Sequence, residues 1–214
     1  MSHTFLVFGA TGQTGSRFIR HALEQGQRVR VLVRDPAKLA SDHPALEVHQ
    51  GSVTDLSNLD ELVRGADFIV SMLGDVALQR DHPVNTDFVR QLIPAMRRHG
   101  VTRFLYQAGG FSRPPGQRLS PVLWAIKNVL ARDHFGQHAD NESVMAYLAK
   151  DADDIEWMVH RASINPKSSS LRELKRSARS LSIASFDEIA EYNYRTVMDA
   201  SAVHTFDLST YPKA

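Results

Sequence analysis

Short apolar runs alternate with helix-type patterns along nearly the whole chain. Residues 4–8 form a run dominated by apolar side chains, which is typical of a strand buried on both faces, and residues 28–33 place three valines on one side of a second strand. Between these strands, residues 18–23 carry apolar side chains at helical spacing, and Gly26 marks the end of that helix. Alternation of this kind predicts a parallel sheet covered by helices.

The same alternation continues to the carboxyl end. The pattern predicts further strands at residues 46–49, 68–73, 104–106, 157–159 and 205–208, and helices at 56–63, 84–96 and 186–198. This is the pattern of an α/β fold with a Rossmann-like, doubly wound parallel sheet, and we interpret residues 1–214 as a single domain. A small substrate or lid region is predicted at about residues 109–135 and 162–182.

Composition narrows the classes of function. Lys and Arg number 25 against 24 Asp and Glu, and a formal net charge of +1 provides no overall field that would recruit nucleic acid or an anionic membrane. The chain has no cysteine, which excludes disulfides, thiolate metal sites and cysteine nucleophiles. Its apolar runs stop short of the ~20 residues that span a bilayer, and the amino end has no signal-peptide pattern. We therefore expect a soluble, cytoplasmic protein without nucleic-acid or membrane partners.

A glycine-rich turn between the first strand and the first helix is the strongest functional signal. Its three glycines have the spacing that allows, in turn, a tight turn, close approach of backbone N–H groups to a pyrophosphate, and close packing of helix on strand. The amino end of the helix adds a partial positive charge. The sequence therefore predicts that a dinucleotide is bound by Gly9, Thr11, Gly12, Gln13, Thr14 and Gly15.

The residue that ends the second strand indicates which dinucleotide is bound. An acidic side chain at this place binds the ribose 2′-hydroxyl, whereas an arginine suits a 2′-phosphate. Arg34 occupies it, and Lys38 is a second candidate for the phosphate. The sequence thus favours NADPH (NADP) over NADH. The alternative is that Arg34 is a solvated loop charge and Asp35 binds the hydroxyl.

The motifs GATGQTG (residues 9–15) and VLVRDP (residues 31–36) resemble the NmrA-like branch of the atypical short-chain dehydrogenase/reductase superfamily. They are similar in particular to the biliverdin-IXβ reductase/flavin reductase group. Weaker likenesses lie at residues 51–55, 70–74, 99–104 and 183–190. The resemblance implies that the adenine and ribose are lined by Ser52, Val53, Leu73 and Gly74, and that the nicotinamide ribose abuts Ala108 and Gly109.

The resemblance implies less about catalysis. Classical members use Tyr-x-x-x-Lys, and none of the five tyrosines has Lys four residues later, so an alcohol dehydrogenase of that type is not expected. The serine and histidine of the biliverdin/flavin reductase pattern fall at Gly109 and Ser163. His138 matches a histidine beside the nicotinamide pocket and is our catalytic candidate, as proton donor or pocket wall, the alternative being a partly exposed helix histidine. Phe111 and Ser163 are the candidate substrate contacts.

Other polar clusters have ordinary structural alternatives. His134, His138 and Glu142 recur at helical spacing, but such sets arise often by chance, so we predict no metal site. The basic residues after the sixth strand would attract an anionic substrate or form a solvated helix face; they are Arg172, Lys175, Arg176 and Arg179. Trp157, which begins a strand, is expected in the core.

These observations predict an NADPH-dependent oxidoreductase that reduces a flavin, a quinone or a similar conjugated acceptor. Such a planar, electron-poor small molecule takes a hydride without a dedicated protein acid, so that catalysis rests on holding two rings together. The alternatives are a non-catalytic NADP(H)-binding redox sensor of the NmrA type and a cofactor-retaining isomerase or epimerase. The apolar helix pattern at residues 122–130 suits either the core or the interface of a homo-oligomer.

Overall fold

The computed structural model describes residues 2–39, 41–117, 135–168, 170 and 172–212. The strands are β1 (Thr4–Phe8), β2 (Arg28–Val33), β3 (Leu46–Gln50), β4 (Phe68–Ser71), β5 (Arg103–Gly109), β6 (Glu156–Ile164), β7 (Lys175–Ser177), β8 (Ile183–Ala184) and β9 (Thr205–Thr210). The described helices are α1 (Gln13–Glu24), α2 (Leu59–Val63), α3 (Val76–Gln79), α4 (Val84–His99), α5 (Phe135–Asp151) and α6 (Phe186–Met198), with a 3-10 turn at Pro36–Lys38. Among these helices, none is both long enough and apolar enough to cross a bilayer.

The strands form one sheet in the order β3-β2-β1-β4-β5-β6-β9-β7, and β8 pairs with β6. Every pairing is parallel except that of β7 with β9. The strand order reverses between β1 and β4, which is the place where open α/β sheets bind ligands, at the carboxyl ends of the strands. The predicted doubly wound fold is confirmed.

Helices cover both faces of this sheet. The helices α1 and α6 pack on one face, while α2, α4 and α5 pack on the other. In β1, Phe5 and Val7 belong to the first layer of core, and Leu6 and Phe8 to the second. The strand is therefore buried on both sides, as its apolar run predicts.

The polar segment after β6 differs from its sequence prediction. Two of its basic residues, Lys175 and Arg176, lie on an edge strand (Lys175–Ser177) antiparallel to β9 and not on a helix face, while Arg172 and Arg179 lie outside that strand. Arg176 forms ion pairs with Asp199 (3.1 Å) and Asp207 (2.6 Å), so it holds the end of the sheet together. Part of the predicted lid is thus sheet, including residues 162–164 of β6. Residues 118–134, with the 122–130 helix pattern, lie outside the described residues.

A buried histidine on β6 makes two hydrogen bonds on the α6 side of the sheet. The Nδ1 of His160 lies 2.6 Å from Oδ1 of Asn193, and its Nε2 lies 3.0 Å from Oγ of Ser209. Burial lowers the pKa of His160 to about 4, since the charged ring would lose its hydration. The ring is therefore neutral in the folded protein at neutral pH.

We expect this histidine to make stability fall as the pH drops below about 6.5. An unfolded histidine binds a proton near pH 6.5, whereas folded His160 binds it only near pH 4, so the unfolded state takes up more protons across that window. Between pH 6 and 5, the free energy of unfolding should decrease by about 1 kcal/mol, as measured by urea denaturation. In His160→Gln this part of the pH dependence should disappear, and in the exposed control His43→Gln it should remain. An equal slope in both variants would contradict the assignment.

Candidate functional site

A cavity of about 540 Å³ lies at the carboxyl ends of β1, β2 and β4. Eight of the predicted cofactor residues line it: Gly9, Thr11, Gly12, Arg34, Ser52, Val53, Leu73 and Gly74. The rest of its lining includes a segment after β4 that the sequence analysis missed, with Asp75, Gln79 and Asn85. The signal available for this segment was only its position directly after Gly74.

The glycine turn has the geometry that its spacing predicts. Gly9 has φ +85°, and a Cβ there would lie 2.6 Å from the carbonyl oxygen of Met72, so this position requires glycine. A Cβ on Gly15 would overlap the backbone of Gly9, because helix and strand meet there. The helix α1 begins after Gly12 with no side-chain cap and no acidic residue in its first turn. Its N–H groups are therefore suited to an anion, which fits the pyrophosphate of a dinucleotide.

Two further predicted residues lie in the first turn of α1. Thr14 is buried, and Nε2 of Gln107 on β5 lies 3.5 Å from its hydroxyl oxygen. Gln107 in turn accepts a hydrogen bond from Asn193 (2.7 Å). Gln13 accepts hydrogen bonds from Arg17 through its backbone carbonyl and its side chain. The side chains of Gln107 on β5 and Asn193 on α6 thus support the first turn of α1 through Thr14.

The two basic candidates line different cavities. Arg34 is exposed on the rim of the first cavity and forms no ion pair with any residue that the structure describes. Asp35 is not part of this lining; its carboxylate accepts the N–H of Ala37 (3.1 Å) and caps the 3-10 turn. Lys38 lines a second cavity, also about 540 Å³, which shares Thr11 with the first. The guanidinium of Arg34 is therefore on the rim of the first cavity, whereas the carboxylate of Asp35 is engaged in the cap of the 3-10 turn.

The end of β5 brings the catalytic candidate to the predicted nicotinamide side. A Cβ on Gly109, which follows the buried Ala108, would lie 3.6 Å from Cε1 of His138. The ring of Phe111 meets that of His138 edge-on, with 6.3 Å between centroids. His138 is only 5% exposed, so the alternative of a partly exposed helix histidine is wrong. Ser163 lies at the same sheet edge, one residue beyond the register partner of Gly109.

Several polar residues around His138 escaped the sequence analysis. Ser112 is fully buried, and its Oγ lies 3.2 Å from Nδ1 of His138 and 3.2 Å from Nδ2 of Asn141. Its N–H donates to the carbonyl of Gly109, which turns the chain back under the end of β5. The family resemblance puts the serine hydroxyl at position 109, at the end of β5, but the structure places it three residues later, on Ser112. The spacing of His138 and Asn141, which puts both on one helix face, was the available signal.

The remaining predictions are the absence of a metal site, which involved His134, His138 and Glu142, and the core position of Trp157. In the ranges that the structure describes, no three His, Asp or Glu side chains gather as a set of metal ligands. His134 lies outside those ranges. Trp157 is buried in the core, as expected.

Comparison with known proteins identifies similar sequences. A family model described as NAD(P)H-binding matches residues 9–162. A 3β-hydroxysteroid dehydrogenase/Δ5→4-isomerase of Mycobacterium tuberculosis is 32% identical over 126 residues, covering 54% of this chain and 34% of that protein. Averufin oxidase A of Aspergillus flavus is 27% identical over 168 residues, covering 69% of this chain and 58% of that protein. The chain thus spans only a third to just over half of these curated relatives.

Solved structures share the fold over almost the whole chain. A putative epimerase from Bacteroides thetaiotaomicron has a TM-score of 0.79 at 20% identity, covering 100% of this chain and 99% of that one. An anaerobillin reductase from Escherichia coli O157:H7 has a TM-score of 0.76 at 16% identity, covering 99% and 98%. At these identities the likeness establishes the fold alone.

Proposed function

Because the chain belongs to the NAD(P)H-binding family, we propose that it is an NADPH-dependent oxidoreductase that reduces a flavin, a quinone or a similar conjugated acceptor. The observation that carries this proposal is the cavity at the carboxyl ends of β1, β2 and β4, which we call the nucleotide cavity and in which the glycine turn and the guanidinium of Arg34 face one space. A nicotinamide cofactor bound there supplies a hydride to the acceptor.

The residues of the nucleotide cavity would bind the cofactor by complementary charge and shape, together with Lys38 of the second cavity and the end of β5. The amino end of α1 binds the pyrophosphate, and Arg34 binds the 2′-phosphate, with Lys38 near Thr11 as a second cation. Ser52, Val53, Leu73 and Gly74 enclose the adenine and ribose, while Ala108 and Gly109 adjoin the nicotinamide ribose. This set recognises the phosphate that distinguishes NADPH from NADH.

The groups at the end of β5 would orient the acceptor. Phe111 supplies an aromatic wall beside His138, and Ser163 lies at the same edge of the sheet. A planar acceptor needs mainly to be held face to face with the nicotinamide, with water kept out, and needs little acid catalysis. The absence of Tyr-x-x-x-Lys from the sequence fits such an acceptor better than an alcohol or ketone. His138 is the residue positioned to give or hold a proton there.

The proposal is tested by the fluorescence of NADPH titrated with protein and then mixed with FMN under argon. We expect the emission to rise on binding, because the nicotinamide leaves water, and then to decay only once FMN is added. The visible absorbance of FMN should be lost in step with the NADPH, since each hydride and one proton convert one FMN to FMNH₂. Samples without protein give the background reaction.

Each other outcome has a definite meaning. Enhanced emission that persists with FMN and with a quinone would contradict the reductase and favour the redox sensor. No enhancement with NADPH would contradict the cofactor assignment itself. Tightly retained NADP that turns over no external acceptor would favour the isomerase or epimerase.

A further inference from the structure

A line of buried polar groups runs from the wall of the nucleotide cavity to His138. It begins at the backbone carbonyl of Leu73 and continues through side chains on α4, β5, α5 and the turn after β5. Each of the side chains is 95% or more buried. We call it the Leu73–His138 chain, and its members in order are Leu73, Asn85, Tyr106, Asn141, Ser112 and His138.

The first member fixes the direction of every hydrogen bond that follows. A carbonyl oxygen only accepts, so the atom of Asn85 that faces Leu73 at 3.4 Å must be the amide nitrogen. The same Nδ2 lies 2.8 Å from the hydroxyl of Tyr106 and donates to it. Tyr106 therefore directs its own proton to Oδ1 of Asn141, 2.6 Å away. The amide of Asn141 is then oriented with its nitrogen away from Tyr106.

The Tyr106 hydroxyl stays protonated in the folded protein. Burial raises the pKa of Tyr106 well above its ordinary value, and the charge of Asp140 raises it further. The hydroxyl therefore always has a proton to donate in the folded protein.

The last two hydrogen bonds, from Asn141 to Ser112 and from Ser112 to His138, determine which nitrogen of the imidazole is protonated. Nδ2 of Asn141 donates to Oγ of Ser112. Within the described part of the chain, the acceptor left within reach of the Ser112 hydroxyl proton is Nδ1 of His138, 3.2 Å away. An Nδ1 that accepts this proton carries none of its own, so the proton of a neutral imidazole sits on Nε2.

We propose that the Leu73–His138 chain is a positioning device that holds His138 as a neutral imidazole with its proton on Nε2. Asn85, Tyr106, Asn141 and Ser112 are positioning residues in this scheme. A histidine held in this form donates a hydrogen bond through Nε2 and so polarises an acceptor without becoming charged, and its orientation is set by the same wall that lines the nucleotide cavity. Its use during reduction rests on the proposed function, whereas the protonation state itself does not.

The first test is the ¹⁵N and ¹³C NMR spectrum of the imidazole rings in the full chain at neutral pH, without added acceptor. His138 is assigned among the ten histidines by the signal lost in His138→Gln. We expect an unprotonated, acceptor-type Nδ1 and a protonated Nε2. A protonated Nδ1 in the unmodified protein would overturn the proposal.

The second test reverses one link without changing its size. In Asn141→Asp the atom that faces Ser112 is an acceptor, so the serine proton turns toward residue 141 and Oγ of Ser112 accepts from His138 instead. We therefore expect the Nδ1 of His138 to gain a proton in N141D. The control Asn165→Asp adds the same charge on an exposed loop beyond β6 and should leave the ring unchanged. An Nδ1 that stays unprotonated in N141D, or an equal change in both variants, would show that the chain does not set the ring.

These measurements are independent of turnover. If the ring has its proton on Nδ1 while NADPH still reduces FMN, the positioning device is refuted and the reductase stands. If the ring behaves as expected and no acceptor is reduced, the reductase fails and the positioning device stands.

Discussion

Asp140→Ala is expected to lower the free energy of unfolding by about 3 kcal/mol, because it leaves several buried donors without an acceptor. The carboxylate of Asp140 on α5 accepts the N–H groups of Asn85 (2.9 Å) and Thr86 (2.9 Å), which lie in the first turn of α4. It also accepts the Thr86 hydroxyl (2.7 Å) and the side-chain amide of Gln79 (2.8 Å). Pro83 precedes α4 at the N-cap position and offers no side-chain cap, so Asp140 is the cap.

Urea denaturation of the variant and of a matched control checks this prediction. Asp151→Ala removes an exposed carboxylate from the end of the same helix and should change the free energy of unfolding by about 0.5 kcal/mol or less. Asp140→Asn should lie close to Asp140→Ala, since an amide turns a donor toward two donors. A loss below about 1 kcal/mol in both Asp140 variants would mean that water replaces the carboxylate.

Arg34→Glu is expected to move the preference between NADPH and NADH by about a hundredfold toward NADH. The substitution removes a charge-assisted contact to the 2′-phosphate and puts a like charge beside it, together about 3 kcal/mol. A glutamate at this place can also accept the 2′-hydroxyl of NADH. The measurement is the ratio of the two dissociation constants, from nicotinamide fluorescence.

The control for this prediction is Arg64→Glu, an exposed charge reversal that lies outside the nucleotide cavity. It should preserve the ratio of the unmodified protein. Equal affinity of the unmodified protein for NADPH and NADH, or an unchanged ratio in Arg34→Glu, would contradict the assignment of Arg34 to the 2′-phosphate.

The sequence predicts the frame of the fold because local patterns encode it. The continuous run in β1 requires burial on both faces, and Gly100, at φ +66°, ends α4 where its apolar spacing stops. The short β7 and β8 escaped prediction, since β7 is polar, β8 has only two residues, and both are held by pairing with distant strands. Arg176 of β7 gives no local signal that its partners are Asp199 and Asp207.

In the candidate site, too, the features encoded by neighbouring residues could be predicted and those formed by distant residues could not. The glycine turn could be predicted because strand, turn and helix are contiguous, whereas the surroundings of His138 could not. Ser112 meets Asn141 across 29 positions, and Asn85 meets Tyr106 across 21. Such contacts depend on the packing of α4 and α5 against β5, which no spacing along the chain specifies.

The cap that Asp140 places on α4 also bears on how the structure opens. First-turn amides of a helix have no intrahelical acceptor and ordinarily exchange their hydrogens quickly with solvent. In this protein the amides of Asn85 and Thr86 are bonded to α5, so they are freed only when α5 moves away. The start of α4 and the helix that carries His138 therefore open as one cooperative unit, and the wall of the nucleotide cavity shares its stability.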